Sequence, residues 1–146
     1  MEISQKDYNA EVRKRQRLQN IVDSLSRRRE YHIGLKRGNT LRFGVVSDTH
    51  IGSLSERLDA LREFYRTLKT EGITTVFHCG DILDGHGVYR GQEYEQYALG
   101  FENQLEALVK RWPRTQIDTF FITGNHDASY KNLTGMNVGK IIDRYV

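Results

Sequence analysis

The sequence is poor in the residues that staple or stiffen a chain. A single cysteine, Cys79, excludes an internal disulfide and a cysteine-based zinc site, and makes a reducing, cytoplasmic setting the expectation. A single proline, Pro113, excludes a proline-rich linker or a collagen-like repeat. Long apolar runs are missing too. Phe43 to Val46 is typical of those present, and polar residues interrupt every window of twenty, so no membrane-spanning helix and no membrane partner is expected. The first sixteen residues contain no apolar stretch of the kind a secretory leader needs.

What is present is charge, unevenly spread. The 146 residues carry a formal net charge of +3. Residues 1–40 hold ten Lys/Arg against five Asp/Glu, and residues 41–146 hold twelve against fourteen. A basic arm therefore precedes a slightly acidic globular part. Such an arm favours anionic partners such as nucleic acid or an anionic membrane, but the plainer reading, a solvated helix face or a helix docking on another subunit, comes first at this modest charge. Its apolar residues Tyr8, Val12, Leu18, Ile21, Val22 and Leu25 form an imperfect stripe, predicting a basic amphipathic helix that ends in Arg27-Arg28-Arg29. Gly34, Gly38 and Asn39 break the pattern, which puts a domain boundary near residue 40.

From Leu41 the rhythm changes. Residues 41–47 are apolar without strict alternation, as in a strand buried on both faces. A helix follows, with Leu54, Leu58, Leu61, Phe64/Tyr65 and Leu68 on one side and Ser55 as candidate cap. Residues 73–78 form a second strand and 79–92 a glycine-rich loop. A second helix is expected over 93–112, with Tyr94 and Tyr97 in its core stripe, ended by Pro113. Residues 117–122 form a third strand, followed by a loop from Thr123. Strand, helix, strand, helix, strand predicts an α/β fold with a parallel βαβαβ sheet. In such sheets ligands bind beyond the carboxyl ends of the strands.

Those ends are chemically rich. The first delivers Asp48-Thr49-His50, the second Gly80-Asp81, the third Gly124-Asn125-His126-Asp127. In an extended segment, residues two apart share a side, so Asp48 and His50 can meet one ion. Gly80 lets the backbone turn before Asp81, whose two carboxylate oxygens can bridge two cations. Asn125 offers an amide oxygen and His126 an imidazole. Imidazole, carboxylate and amide oxygen together suit Mn, Fe, Zn or Co. Two such ions about 3.5–4 Å apart grip a phosphate and acidify a water.

These three motifs, each behind a strand, resemble the calcineurin-like metallophosphoesterase family. The resemblance covers about residues 41–130 and implies a sandwich of two mixed sheets flanked by helices. It also implies two divalent metal ions, with manganese favoured. Asp48 and His50 then match ligands of the first metal, Asp81 the bridging carboxylate, and Asn125 a ligand of the second metal that also contacts phosphate. His126 matches the histidine that assists the leaving group, and Asp127 the carboxylate that orients it. Family members carry further histidines downstream, including a Gly-His-x-His motif. No histidine follows His126 here. Residues 41–146 thus read as the N-terminal part of the domain, its site completed by a missing C-terminal half or a second chain, or not completed in a non-catalytic relative. Half a sandwich leaves one face of the sheet uncovered, and the arm is a candidate to cover part of it.

Blander readings attach to the remaining residues. His78 and Cys79 read as core residues, and Asp84 as a loop or helix-start residue. His86 and Arg90 lie in the loop after Asp81, where they and Tyr89 are open to a substrate role. The expected function is metal-dependent hydrolysis of phosphate esters, with a phosphodiesterase or nuclease acting on nucleic acid favoured. The alternatives are a phosphomonoesterase and a non-catalytic binding fragment.

Overall fold

The computed structural model describes residues 13–14 and 40–146. The expected arm helix lies outside the described residues, apart from Arg13 and Lys14, which are helical. The chain divides into two compact units, Met1–Thr40 and Leu41–Val146, and the second carries the candidate site.

In chain order the elements are β1 (Gly44–Val46), α1 (Leu58–Thr70), β2 (Thr75–His78), a single 3-10 turn (Gln92–Glu95), α2 (Phe101–Arg111), β3 (Asp118–Phe121), α3 (Asn125–Thr134) and α4 (Val138–Ile142). The three strands form one parallel sheet in the order β1-β2-β3. Val45 pairs with Phe77, and Phe77 with Phe120. An α/β architecture with a βαβαβ sheet is therefore what the chain builds. No helix among the described residues is long and apolar enough to cross a membrane.

Two crossovers of one hand, stepping in one direction across the sheet, put both helices on the same face. The packing agrees. Leu58, Leu61, Tyr65 and Leu68 of α1 are all buried, at the spacing that gives a helix one apolar side. Each such side chain contributes roughly 1.5–3 kcal/mol by leaving water. Gly44 is where α1 comes closest to β1: a Cβ there would lie 2.7 Å from Phe64 Cζ and 2.8 Å from Leu68 Cδ1. The Tyr65 hydroxyl reaches Thr119 Oγ1 at 2.8 Å, tying α1 to β3. Leu108 and Trp112, from α2 and the residue after it, complete this core with Val76.

The opposite face differs from expectation. The first strand is not buried on both sides: Phe43 is 46% and Val45 56% exposed. The cause is that both helices occupy the other face. Phe43 meets Phe77 edge-on at 5.2 Å, so an aromatic row runs across this side of the sheet.

Three further boundaries moved. The helix expected from residue 93 starts at Phe101, because Gly100, at φ +80°, turns the backbone into the left-handed region. Tyr94 and Tyr97 therefore leave the core, 82% and 42% exposed. The first helix begins at Leu58, with Arg57 rather than Ser55 at its cap position, and Leu54 is exposed. Cys79 is exposed as well, since it follows the last residue of β2. The loop expected from Thr123 becomes α3 within two residues.

Candidate metal centre

The ladder between the first two strands continues past their ends, and this builds the site. Cys79 N donates to Val46 O at 2.8 Å, Asp48 N to Gly80 O at 3.1 Å, His50 N to Asp81 O at 3.1 Å and Ile51 N to Ile82 O at 2.8 Å. The loops carrying the first two motifs thus lie side by side. Along them Asp48, His50 and Asp81 sit at φ +55°, +41° and +55°, the non-glycine residues with positive φ among those described. Such conformations are held only where the surroundings over-determine them, and they concentrate at functional sites. The segment from Asp48 to His50 is therefore not extended, as the two-residue spacing argument assumed. The two side chains still meet, with His50 Nε2 3.6 Å from Asp48 Oδ1, because the backbone curls rather than because it alternates.

The third loop closes onto the second with no space to spare. A Cβ on Gly80 would lie 2.8 Å from Gly124 N, and one on Gly124 would lie 2.1 Å from Asp81 Oδ1. This is the physical need for glycine before both Asp81 and Asn125. The first turn of α3 has free amide groups, as every helix start does. Carboxylates take two of the amides in this region: His126 N donates to Asp81 Oδ1 at 2.8 Å, and Gly124 N to Asp127 Oδ2 at 3.0 Å.

Asp127 is fully buried, and its oxygens also accept from Ile82 N at 3.2 Å and Leu83 N at 2.9 Å. Burial pushes its carboxyl above the usual range, although the three amides pull the other way. These bonds bind the third loop to the second. They are not the bond to the His126 ring that the resemblance implied, because the carboxylate is spent on backbone amides.

The ring of His126 is held by Asp84 instead. His126 Nδ1 lies 2.6 Å from Asp84 O, so Nδ1 carries the proton and donates, leaving Nε2 for a cation or substrate. The Asp84 carboxylate, with 6% of its side chain exposed, lies 3.3 Å from His50 Nδ1. A carboxylate behind a metal-ligating histidine fixes the ring and raises its basicity. Asp84 is in turn locked by amides. Gln92 Nε2 donates to Asp84 O at 2.7 Å, and Gln96 Nε2 donates to Asp84 Oδ2 and, at 2.9 Å, to Gly85 O. Gln104 Nε2 also reaches Gly85 O at 2.9 Å, while its Oε1 accepts from Gly85 N at 3.0 Å. Asp84 is thus a loop residue, one of the two readings its position allowed, and not the start of a helix. Its signal was an acid three residues after Asp81 with a glycine behind it. The buried glutamines gave no signal, since polar residues in an aromatic stretch look solvated.

One donor atom each from His50, Asp81 and His126 lies within 4.8 Å of the others, and the His50 and His126 rings meet edge-on at 4.4 Å. His50 Nδ1 is buried without a well-directed hydrogen bond. The Ser47 hydroxyl, aided by His50, holds the Asp48 carboxyl below its ordinary range, so it is ionised and ready for a cation. Two imidazoles and two carboxylates make a donor set that fits borderline divalent metals. Asn125 is exposed at the first residue of α3, and His86 and Arg90 are exposed on the loop after Asp84. Among the described contacts, none joins these three side chains to the cluster.

His78 is a different kind of histidine. It is 1% exposed, and burial drives it down to about 4. Its Nδ1 accepts from Gly80 N at 3.2 Å, so Nε2 carries the proton and faces Thr49 Oγ1 at 3.2 Å. The Thr49 hydroxyl in turn donates a hydrogen bond to Ile82 O at 3.1 Å. The neutral ring fastens the first loop to the second and has the core role expected of it.

Comparison with known proteins agrees with the geometry. Residues 41–144 match the calcineurin-like phosphoesterase family. The DNA polymerase II small subunit of Halobacterium salinarum is 33% identical over 89 residues, covering 58% of this chain and 18% of that protein. The DNA polymerase II small subunit of Methanothermobacter thermautotrophicus is 31% identical over 97 residues, covering 58% and 20%. This chain spans about a fifth of the length of these curated relatives. Three donor-bearing loops gathered at the carboxyl edge of a parallel sheet, together with a family match across nearly all of Leu41–Val146, establish that the chain belongs to the calcineurin-like phosphoesterase family.

Proposed function

We propose that this chain carries the first part of a metal-dependent phosphodiesterase that cleaves nucleic acid, within a DNA polymerase assembly that supplies the rest of the site. The observation that carries the reading is the cluster of His50, Asp81 and His126 donors within 4.8 Å, with Asp48 beside it. In this reading Asp48, His50 and Asp81 hold one divalent cation, Asp81 and Asn125 a second, and manganese is the favoured metal. When bound, the ions supply Lewis-acid polarisation of the phosphoryl group and a more acidic water.

The chain's own residues do the remainder. Asp81, the carboxylate that would serve both cations, also accepts from the His126 amide, so the position of the charge and the position of the imidazole are set by one side chain. His126, with Nδ1–H committed to Asp84 O, has only Nε2 to offer: in its doubly protonated form it gives the Nε2 proton to the departing oxygen and is left as the neutral Nδ1–H ring. Asp84 holds His126 by its carbonyl, and its carboxylate lies 3.3 Å from His50 Nδ1, so one residue faces both rings. Nucleic acid is favoured over a phosphomonoester by the +5 charge of residues 1–40 and by the relatives, which are named as subunits of a DNA polymerase. The basic arm then engages the phosphate backbone in a salt-dependent manner.

The test uses the full-length protein with its partner chains, Mn²⁺, a single-stranded DNA oligonucleotide and, separately, p-nitrophenyl phosphate. Cleavage of DNA that stops with EDTA and returns with Mn²⁺ is expected, and Asp81→Asn removes both metal occupancy and cleavage. Absence of cleavage with every first-row divalent metal overturns the reading. Faster turnover of the monoester transfers the assignment to a phosphatase.

A further inference from the structure

We propose that the ring of Tyr89 is a stacking surface for a nucleobase adjacent to the attacked phosphate, making the site selective for strands with unpaired bases. The inference rests on the phosphodiesterase reading and extends it to the part of the substrate that is not phosphate.

Tyr89 lies in the irregular loop between Asp84 and the 3-10 turn. Its ring centroid is 6.5 Å from that of His126, at an interplanar angle of 58°. The side chain is 45% exposed, so the ring stands open beside the residue assigned to the leaving group. A nucleotide places its base one sugar away from its phosphate, and a phosphate at the His126 imidazole therefore brings a base to this ring. Aromatic faces bind bases with little sequence preference, because every base has a π-face.

The ring is held, although its loop has no regular structure. Its hydroxyl donates to Glu95 Oε2 at 2.7 Å. One residue earlier, Val88 N donates to Gln92 Oε1 at 2.9 Å, and the other end of that buried amide donates to Asp84 O at 2.7 Å. The same Asp84 carbonyl meets His126. One buried side chain thus ties the Tyr89 segment to the atom that fixes the imidazole. A rigid tyrosine contributes contact area at low entropic cost. The surroundings also select the ligand. The Glu95 carboxylate at the ring edge repels a second phosphate but not a neutral base.

The experiment measures binding, so that it does not depend on turnover. Full-length protein carrying His126→Ala, with Mn²⁺ present, is titrated with a fluorescent single-stranded DNA oligonucleotide and with the same strand made abasic. The base-bearing strand should bind more tightly, and Tyr89→Ala should reduce that preference by about 5- to 100-fold. Tyr89→Phe should keep it, which separates stacking from the bond to Glu95, and Tyr89→Trp should keep or raise it. Metal occupancy of Tyr89→Ala is measured alongside, to show that the site is still formed. Equal weakening of both strands, or no weakening of either, overturns the inference. Base-selective binding through Tyr89 in a protein whose His126 form cleaves nothing leaves the inference standing and removes the proposed activity. Cleavage by a protein with no base preference does the reverse.

Discussion

The carboxyl edge of the sheet and the helix layer on one of its faces are made from the same segments, yet they obey different rules. In the helix layer every choice agrees with its neighbours. Leu58, Leu61, Tyr65 and Leu68 fall on one side of α1, and Gly44 leaves room for them. At the edge the local preferences are overridden. Asp48, His50 and Asp81 adopt positive φ, and Asp84, Asp127, Gln92 and Gln104 are buried although polar. Strain and buried polarity persist only where a dense set of bonds holds them, and here the loops are cross-braced by Asp127, His78 and three glutamines. The difference teaches where stability ends and chemistry begins. One region lowers the free energy of folding, and the other uses some of it to hold donors in place.

The comparison makes four predictions, from the largest effect to the smallest. At the edge, on the proposed phosphodiesterase reading, His126→Ala in the full-length protein slows DNA cleavage by on the order of 10²- to 10⁴-fold while metal occupancy and melting temperature hold. Unaltered turnover in steady-state kinetics would remove His126 from the chemistry. In the helix layer the signs exchange. Leu108→Ala, at a site with 0% exposure, destabilises by about 2–5 kcal/mol in urea denaturation, and leaves metal affinity per folded molecule alone.

The third prediction concerns the brace between the regions. His78 titrates near 4 when folded and close to the ordinary histidine value when unfolded. The unfolded state therefore binds the proton first. This contribution to stability is present in full above about pH 6.5 and shrinks as pH falls toward about 4, by about 3 kcal/mol in all, then levels off. Chemical denaturation in EDTA between pH 7 and 4 measures it, and a flat profile in that window shows that the ring is not buried neutral. The smallest effect belongs to Leu54, which has the right spacing for the α1 stripe but is 65% exposed. Leu54→Ser changes stability by less than about 0.5 kcal/mol. A larger loss would place Leu54 in the core after all.

The fold was legible to the extent that a local period reports it. The α1 stripe, the three strand segments and their parallel order follow from spacing and composition, because one-sided burial writes itself into sequence. The end of that legibility is visible at Gly100. The apolar period runs straight across it from Tyr94 to Trp112, and only the backbone shows that the helix begins after the glycine. The same holds for Asn125–Thr134, where a motif-bearing loop turns out to be the start of a helix, with Asp81 taking the His126 amide and Asp127 the amide of the cap residue Gly124.

The sequence by itself determined which donors reach the sheet edge, since Asp48, His50, Asp81 and His126 each follow a strand in a parallel order that sends every strand end the same way. Only the tertiary structure decided how they are held. Asp84 rather than Asp127 meets the His126 ring, Gln92 and Gln96 lock Asp84 while Gln104 holds Gly85 beside it, and His50 reaches Asp48 through a curled rather than an extended backbone. The physical reason is that a hydrogen bond between residues 42 positions apart leaves no period in the chain, whereas a buried face does.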